Sequence, residues 1–89
     1  MILGKVVGTL WATRKDESLV GMKLQIVRQV GLDYQPKESF VIAVDSVGAG
    51  VGEIVLVATG SSARQTELTK NKPIDAVIMA IVDKLDVAD

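Results

Sequence analysis

Hydrophobic and polar positions alternate along Ile2–Thr13. Even positions give Ile2, Gly4, Val6, Gly8, Leu10 and Ala12, a small apolar face; odd positions give Leu3, Lys5, Val7, Thr9, Trp11 and Thr13, a mixed one. A period of two predicts a strand, and its interior glycines predict sharp coiling or a close backbone approach. Arg14-Lys15-Asp16-Glu17-Ser18 predicts a solvated loop. A second strand is expected over Lys23–Val30, with Leu24, Ile26 and Val30 on one face. Arg28 shares that face, so either a bulge re-aims it or it leaves the core at a seam. Gly31–Ser39, with Asp33, Pro36 and charged neighbours, predicts a loop.

Phe40–Val44 and Ile54–Ala58 are apolar without alternation, which predicts strands buried on both faces. After Gly60, Ser62 and Gln65 fit a capping box, predicting a short helix with Arg64 in its first turn. Ile74–Leu85 supports two readings. Ile74, Val77, Ile78, Ile81 and Leu85 form a helical stripe behind Pro73, whereas the β-branched Val77, Ile78, Ile81 and Val82 favour a strand.

Short β-branched runs punctuated by glycine predict an all-β chain with one short helix, a five-stranded barrel or sandwich. With 89 residues, it is expected to form a single domain over residues 1–89. A small barrel has one inside, and alternate residues of every strand point out of it. The runs Phe40–Val44, Ile54–Ala58 and Ile74–Leu85 are apolar on both faces. A lone barrel would therefore expose aliphatic patches that soluble monomers rarely carry. Either neighbouring chains cover these faces, or a helix of the same chain does; the second option requires Ile74–Leu85 to be that helix.

Composition narrows the chemistry. The apolar fraction is 48%, but aromatics are only 3%, so the excess is aliphatic. The longest apolar run, Ala76–Val82 between Asp75 and Asp83, falls far short of the roughly 20 residues that cross a bilayer. No membrane partner is expected, and the opening Met1-Ile2-Leu3-Gly4-Lys5 predicts no signal peptide. Net charge is −1, leaving no basic field for a phosphate backbone, so no nucleic-acid partner is expected. Cysteine and histidine are both absent. That removes disulfides, Cys/His metal sites, thiol nucleophiles and Ser-His-Asp triads, and disfavours an enzyme. No cofactor or metal is expected.

Few constellations remain. Gly48-Ala49-Gly50-Val51-Gly52 has the wrong spacing for a dinucleotide loop, and strand-like residues follow it. It is either a turn whose glycines take φ > 0 or a place where backbones of several chains crowd together. Asp45 and Glu53 flank it and are expected to accept hydrogen bonds from loop N–H groups. Arg28 and Asp83 interrupt aliphatic runs and call for partners across strands or across subunits. Arg64 is either solvated or holds a carboxylate or carbonyl cluster. Trp11 is either an interface anchor or lies across its own barrel.

Together these residues resemble a family. Asp45-Ser46-Val47-Gly48-Ala49-Gly50-Val51-Gly52-Glu53 is similar to the signature loop of bacterial microcompartment vertex proteins. Gly60-Ser61-Ser62-Ala63-Arg64, then Pro73-Ile74-Asp75 and Ile81-Val82-Asp83, follow at that family's spacing. Met1–Gly8 and Leu19-Val20-Gly21-Met22-Lys23-Leu24 resemble its opening strand, loop and second strand. The resemblance implies a five-stranded OB-like β-barrel assembling as a cyclic pentamer. Such pentamers close the five-fold vertices of polyhedral shells in the bacterial cytoplasm, beside hexamer-forming facet proteins, and are not enzymes. It further implies a strand for Ile74–Leu85. It places Gly48, Ala49, Gly50 and Gly52 near an interface or central opening, and makes Ser61, Ser62 and Arg64 candidates for subunit or facet contacts. The alternative from the barrel alone is an OB-like module binding single-stranded nucleic acid or another small ligand, for which one Trp, one Tyr and one Phe are a thin stacking set.

Overall fold

The computed structural model describes residues 1–88. Five strands, β1 (Ile2–Leu10), β2 (Leu24–Val30), β3 (Pro36–Asp45), β4 (Ile54–Thr59) and β5 (Ala76–Ile81), close into a barrel in the order β1-β2-β3-β5-β4. All neighbours are antiparallel except β3 and β5, which pair in parallel through Val44–Val77 and Asp45–Ile78. This is the expected OB-like, all-β arrangement. The helical content among the described residues is two 3-10 turns, Glu17–Leu19 and Gly60–Arg64.

The inner core joins Val6, Val27, Ala43, Val55, Val57, Ala76 and Ile78, with Ala49 closing it from a loop. The even face of β1 points inward as far as Val6. A register shift between Val6 and Gly8 then swaps the faces, so Thr9 turns toward the buried Gln25. The bulge explains why strict alternation fails across the whole run. Gly4 permits close packing of β1 on β2: a Cβ there would collide with the Val27 side chain and lie 2.9 Å from the Arg28 carbonyl oxygen.

Several expectations are corrected, and one open choice is settled. The apolar face Leu24/Ile26 of β2 is its outer face, which Arg28 shares; Gln25 and Val27 point in, and a bulge between Arg28 and Val30 turns Val30 into the buried set. The loop expected over Gly31–Ser39 ends sooner, because Pro36 already pairs with Val30. The short helix is a 3-10 turn capped at Thr59 without a side-chain bond, so the Ser62/Gln65 box does not form. Arg64 accordingly sits in its last turn, where a cation is favoured. Over Ile74–Leu85 the strand wins for Ala76–Ile81, because barrel closure uses both edges of β5.

The doubly apolar runs are partly covered by their own chain, without the helix that option called for. Val44, Ala58 and Val77 line up on the outside of β3, β4 and β5. Ala63 and Ile74 complete this second buried cluster, with Leu19, Met22 and Leu24 packed against it. Two short turns thus shield one side of the barrel. Away from this cluster the outside stays open: Val7 and Phe40 are exposed on β1 and β3, and Met79 is exposed on β5, past Val77.

Candidate functional site

The glycine-rich loop between β3 and β4 is held from every direction. Asp45 ends β3, and its Oδ1 accepts the N–H groups of Val47 (3.0 Å) and Gly48 (2.9 Å). Glu53 Oε1 accepts the Gly50 N–H at 2.6 Å. Gln25 Nε2, reaching up from inside the barrel, donates to the Ala49 carbonyl at 2.8 Å and to Asp45 Oδ2 at 3.4 Å. Thr9 Oγ1 donates to Gln25 Oε1 at 2.9 Å. The Ser46 hydroxyl donates to the Ile78 carbonyl at 2.6 Å, and Gly52 N–H to Val6 O at 2.8 Å. Gly48 and Gly52 take φ of 75° and 94°, a left-handed region costly for side chains; Gly50 does not, and its N–H simply approaches Glu53.

Both flanking carboxylates are therefore spent on loop structure, as their positions after and before strands suggest. Partial burial raises the Asp45 pKa, but hydrogen bonds from Val47, Ala49, Gln25 and Gly48 outweigh it and hold the carboxyl below its ordinary range. Among the described residues no three acidic side chains gather as metal ligands would.

The remaining candidates sit elsewhere. Ser61 and Ser62 are exposed on the 3-10 turn after β4. Arg64 Nη1 donates to the Ile74 carbonyl at 3.1 Å, so this arginine does hold a carbonyl, tying the turn to the lead-in of β5. The register pairs Thr59 with Ala76 and Val55 with Ile81. The glycine loop and the Ser61–Arg64 turn therefore lie at opposite ends of β5, roughly 17 Å apart along the strand; one chain does not bring them together. Trp11 follows β1 and is 88% exposed, not folded across its own barrel. Asp83 follows β5 in an exposed segment. Arg28 lies on the outer face of β2, directly between Lys5 of β1 and Phe40 of β3, and its Nη1 donates to the Lys37 carbonyl at 3.2 Å. Among the described residues the one ion pair is Lys84–Asp86 at 3.6 Å, so neither Arg28 nor Asp83 finds a charge partner among them.

Sequence reasoning missed Gln25, the buried residue on which the loop depends. Its signal was available: an amide inside an aliphatic strand must find partners. It also passed over Lys5, whose place opposite Arg28 follows only from the β1–β2 register.

Fold and site define a class: a small closed β-barrel whose polar side chains shape one loop and whose outer surface keeps an uncovered apolar side. The family described as ethanolamine utilisation protein EutN/carboxysome matches residues 1–83. The chain belongs to that family. The bacterial microcompartment shell vertex protein GrpN of Rhodospirillum rubrum is 48% identical over 86 residues, covering 97% of each chain. The solved structure of GrpN, a pentameric microcompartment shell protein, superposes with a TM-score of 0.90 at 46% identity, covering 99% of this chain and 100% of that one. The structure of CcmL from Nostoc sp. PCC 7120 gives a TM-score of 0.95 at 41% identity, covering 98% and 92%.

Proposed function

We propose that this chain is a structural shell protein whose pentamers cap the five-fold vertices of a polyhedral bacterial microcompartment. The observation that carries the proposal is the near full-length similarity, in sequence and in barrel geometry, to GrpN, a pentameric shell vertex protein. The location is the microcompartment shell in the cytoplasm, and the neighbours are other copies of the chain and hexamer-forming facet proteins. The chain carries out no catalysis in this role. The physics is closed cyclic symmetry: each copy offers two different patches, head to tail, and the rotation closes. The uncovered side at Val7 and Phe40, and the separation of the two loop candidates to opposite barrel ends, suit such a ring. The OB-like binding-module alternative draws no support from the relatives.

Co-expression with hexamer-forming facet proteins tests the role. Electron microscopy should show closed polyhedral shells with this chain and open or elongated ones without it. Equal closure in both cases would refute the role.

A further inference from the structure

Lys5 and Arg28 face each other directly across the β1–β2 ladder, on the outside of the barrel. Like charges so placed repel, and a fold tolerates them best when a carboxylate bridges them. No described carboxylate of the chain does so. The two cations share a groove of about 270 Å³ with Val7, Val30, Tyr34 and Pro36. The groove thus has a doubly cationic side and an apolar side.

The segment after β5 has the complementary chemistry. The Val82 N–H donates to the Ile54 carbonyl at 2.8 Å. Beyond it, residues 83–88 belong to no strand or helix. Asp86 pairs with Lys84 at 3.6 Å on the surface, which leaves Asp83 as the unpaired acid among the described residues of the segment. In an extended chain Asp83 and Leu85 project to the same side, roughly 6.6 Å apart. That spacing sets a carboxylate beside an aliphatic side chain, as the groove sets cations beside Val7 and Pro36.

We infer that the segment following β5 of one copy docks in this groove on a neighbouring copy, with Asp83 between Lys5 and Arg28 and Leu85 against the apolar side. The inference rests on the ring proposed above and names one of its contacts. Asp83 is the last residue of the family match, and Leu85 lies just beyond it.

The chain has no native cysteine, which makes site-directed cross-linking clean. Single variants Arg28→Cys and Asp83→Cys are mixed, assembled together and treated with a short bis-maleimide. A covalent dimer in the mixture, absent from either variant alone, is expected. The double variant should give a ladder of covalent oligomers on a denaturing gel. A double variant that stays at monomer mass, whether cross-linked within the chain or not at all, overturns the inference; if native mass spectrometry still shows rings, the ring itself survives. A charge swap guards against poorly assembling cysteine variants. Arg28→Glu and Asp83→Lys should each raise the concentration at which rings dissociate by roughly fivefold, and their combination should restore it. Failure of the combination to restore it also overturns the inference.

Discussion

Replacing Gln25 with leucine keeps most of its volume and removes the amide that ties β1, the loop and β3 together. Gln25 is 1% exposed, and its amide meets Thr9 at 2.9 Å and the Ala49 carbonyl at 2.8 Å. Each well-formed hydrogen bond contributes about 1 kcal/mol net, and a buried carbonyl left without a donor costs about 1–3 kcal/mol more. The loss should reach about 3–5 kcal/mol, against a total stability of roughly 4–13 kcal/mol for a chain of this length. For a domain of this size each kcal/mol lowers Tm by about 4–8 °C. Urea unfolding followed by circular dichroism, at one fixed protein concentration because assembly is linked to folding, measures it directly. Thr9→Val and the double variant complete a cycle, in which the two changes should be clearly less than additive. A Gln25→Leu protein within 0.5 kcal/mol of the parent would refute the claim that this amide holds the loop.

Two further outcomes are expected. Gly4→Ala should destabilise by about 1–3 kcal/mol through its collision with Val27 and the Arg28 carbonyl, whereas Gly8→Ala, whose added Cβ lies 3.5 Å from Ile26, should be neutral or slightly stabilising; thermal melts that rank the two the other way would contradict the packing of β1 on β2. Because the Asp45 pKa is lowered on folding, its contribution is present above the unfolded value near 3.9 and is lost as pH falls through the folded value. Stability of the parent should therefore drop more steeply below about pH 4 than that of Asp45→Asn; parallel acid limbs would show that Asp45 is not the group titrating.

The sequence made most strands legible because burial leaves its mark on residue type. The continuous aliphatic runs Phe40–Val44 and Ile54–Ala58 are strands with one face turned to the inner core and the other only partly covered: Val44 and Ala58 lie in the cluster under the 3-10 turns, whereas Phe40 stays exposed. The inward set was harder to read. Three register shifts, after Val6, after Arg28 and at Met79 opposite Leu56 and Val57, disturb the alternation, and nothing local announces where a ladder slips. Leu24 and Ile26 look like core yet face outward, because leucine and isoleucine are equally at home under a covering turn or on a face left open. The loop's carboxylates could be assigned from their positions next to strand ends, whereas the Lys5–Arg28 juxtaposition needed the register. Coverage of the outer face by two 3-10 turns was invisible for a simpler reason: neither turn is long enough to carry a periodic pattern.

Underlying the account is a barrel with one side shielded by its own turns and one left for its neighbours. Native mass spectrometry of the purified chain at micromolar concentration examines this most directly. The account predicts a single species at five times the 9.5 kDa chain mass; a uniform population of single chains under the same conditions would contradict it.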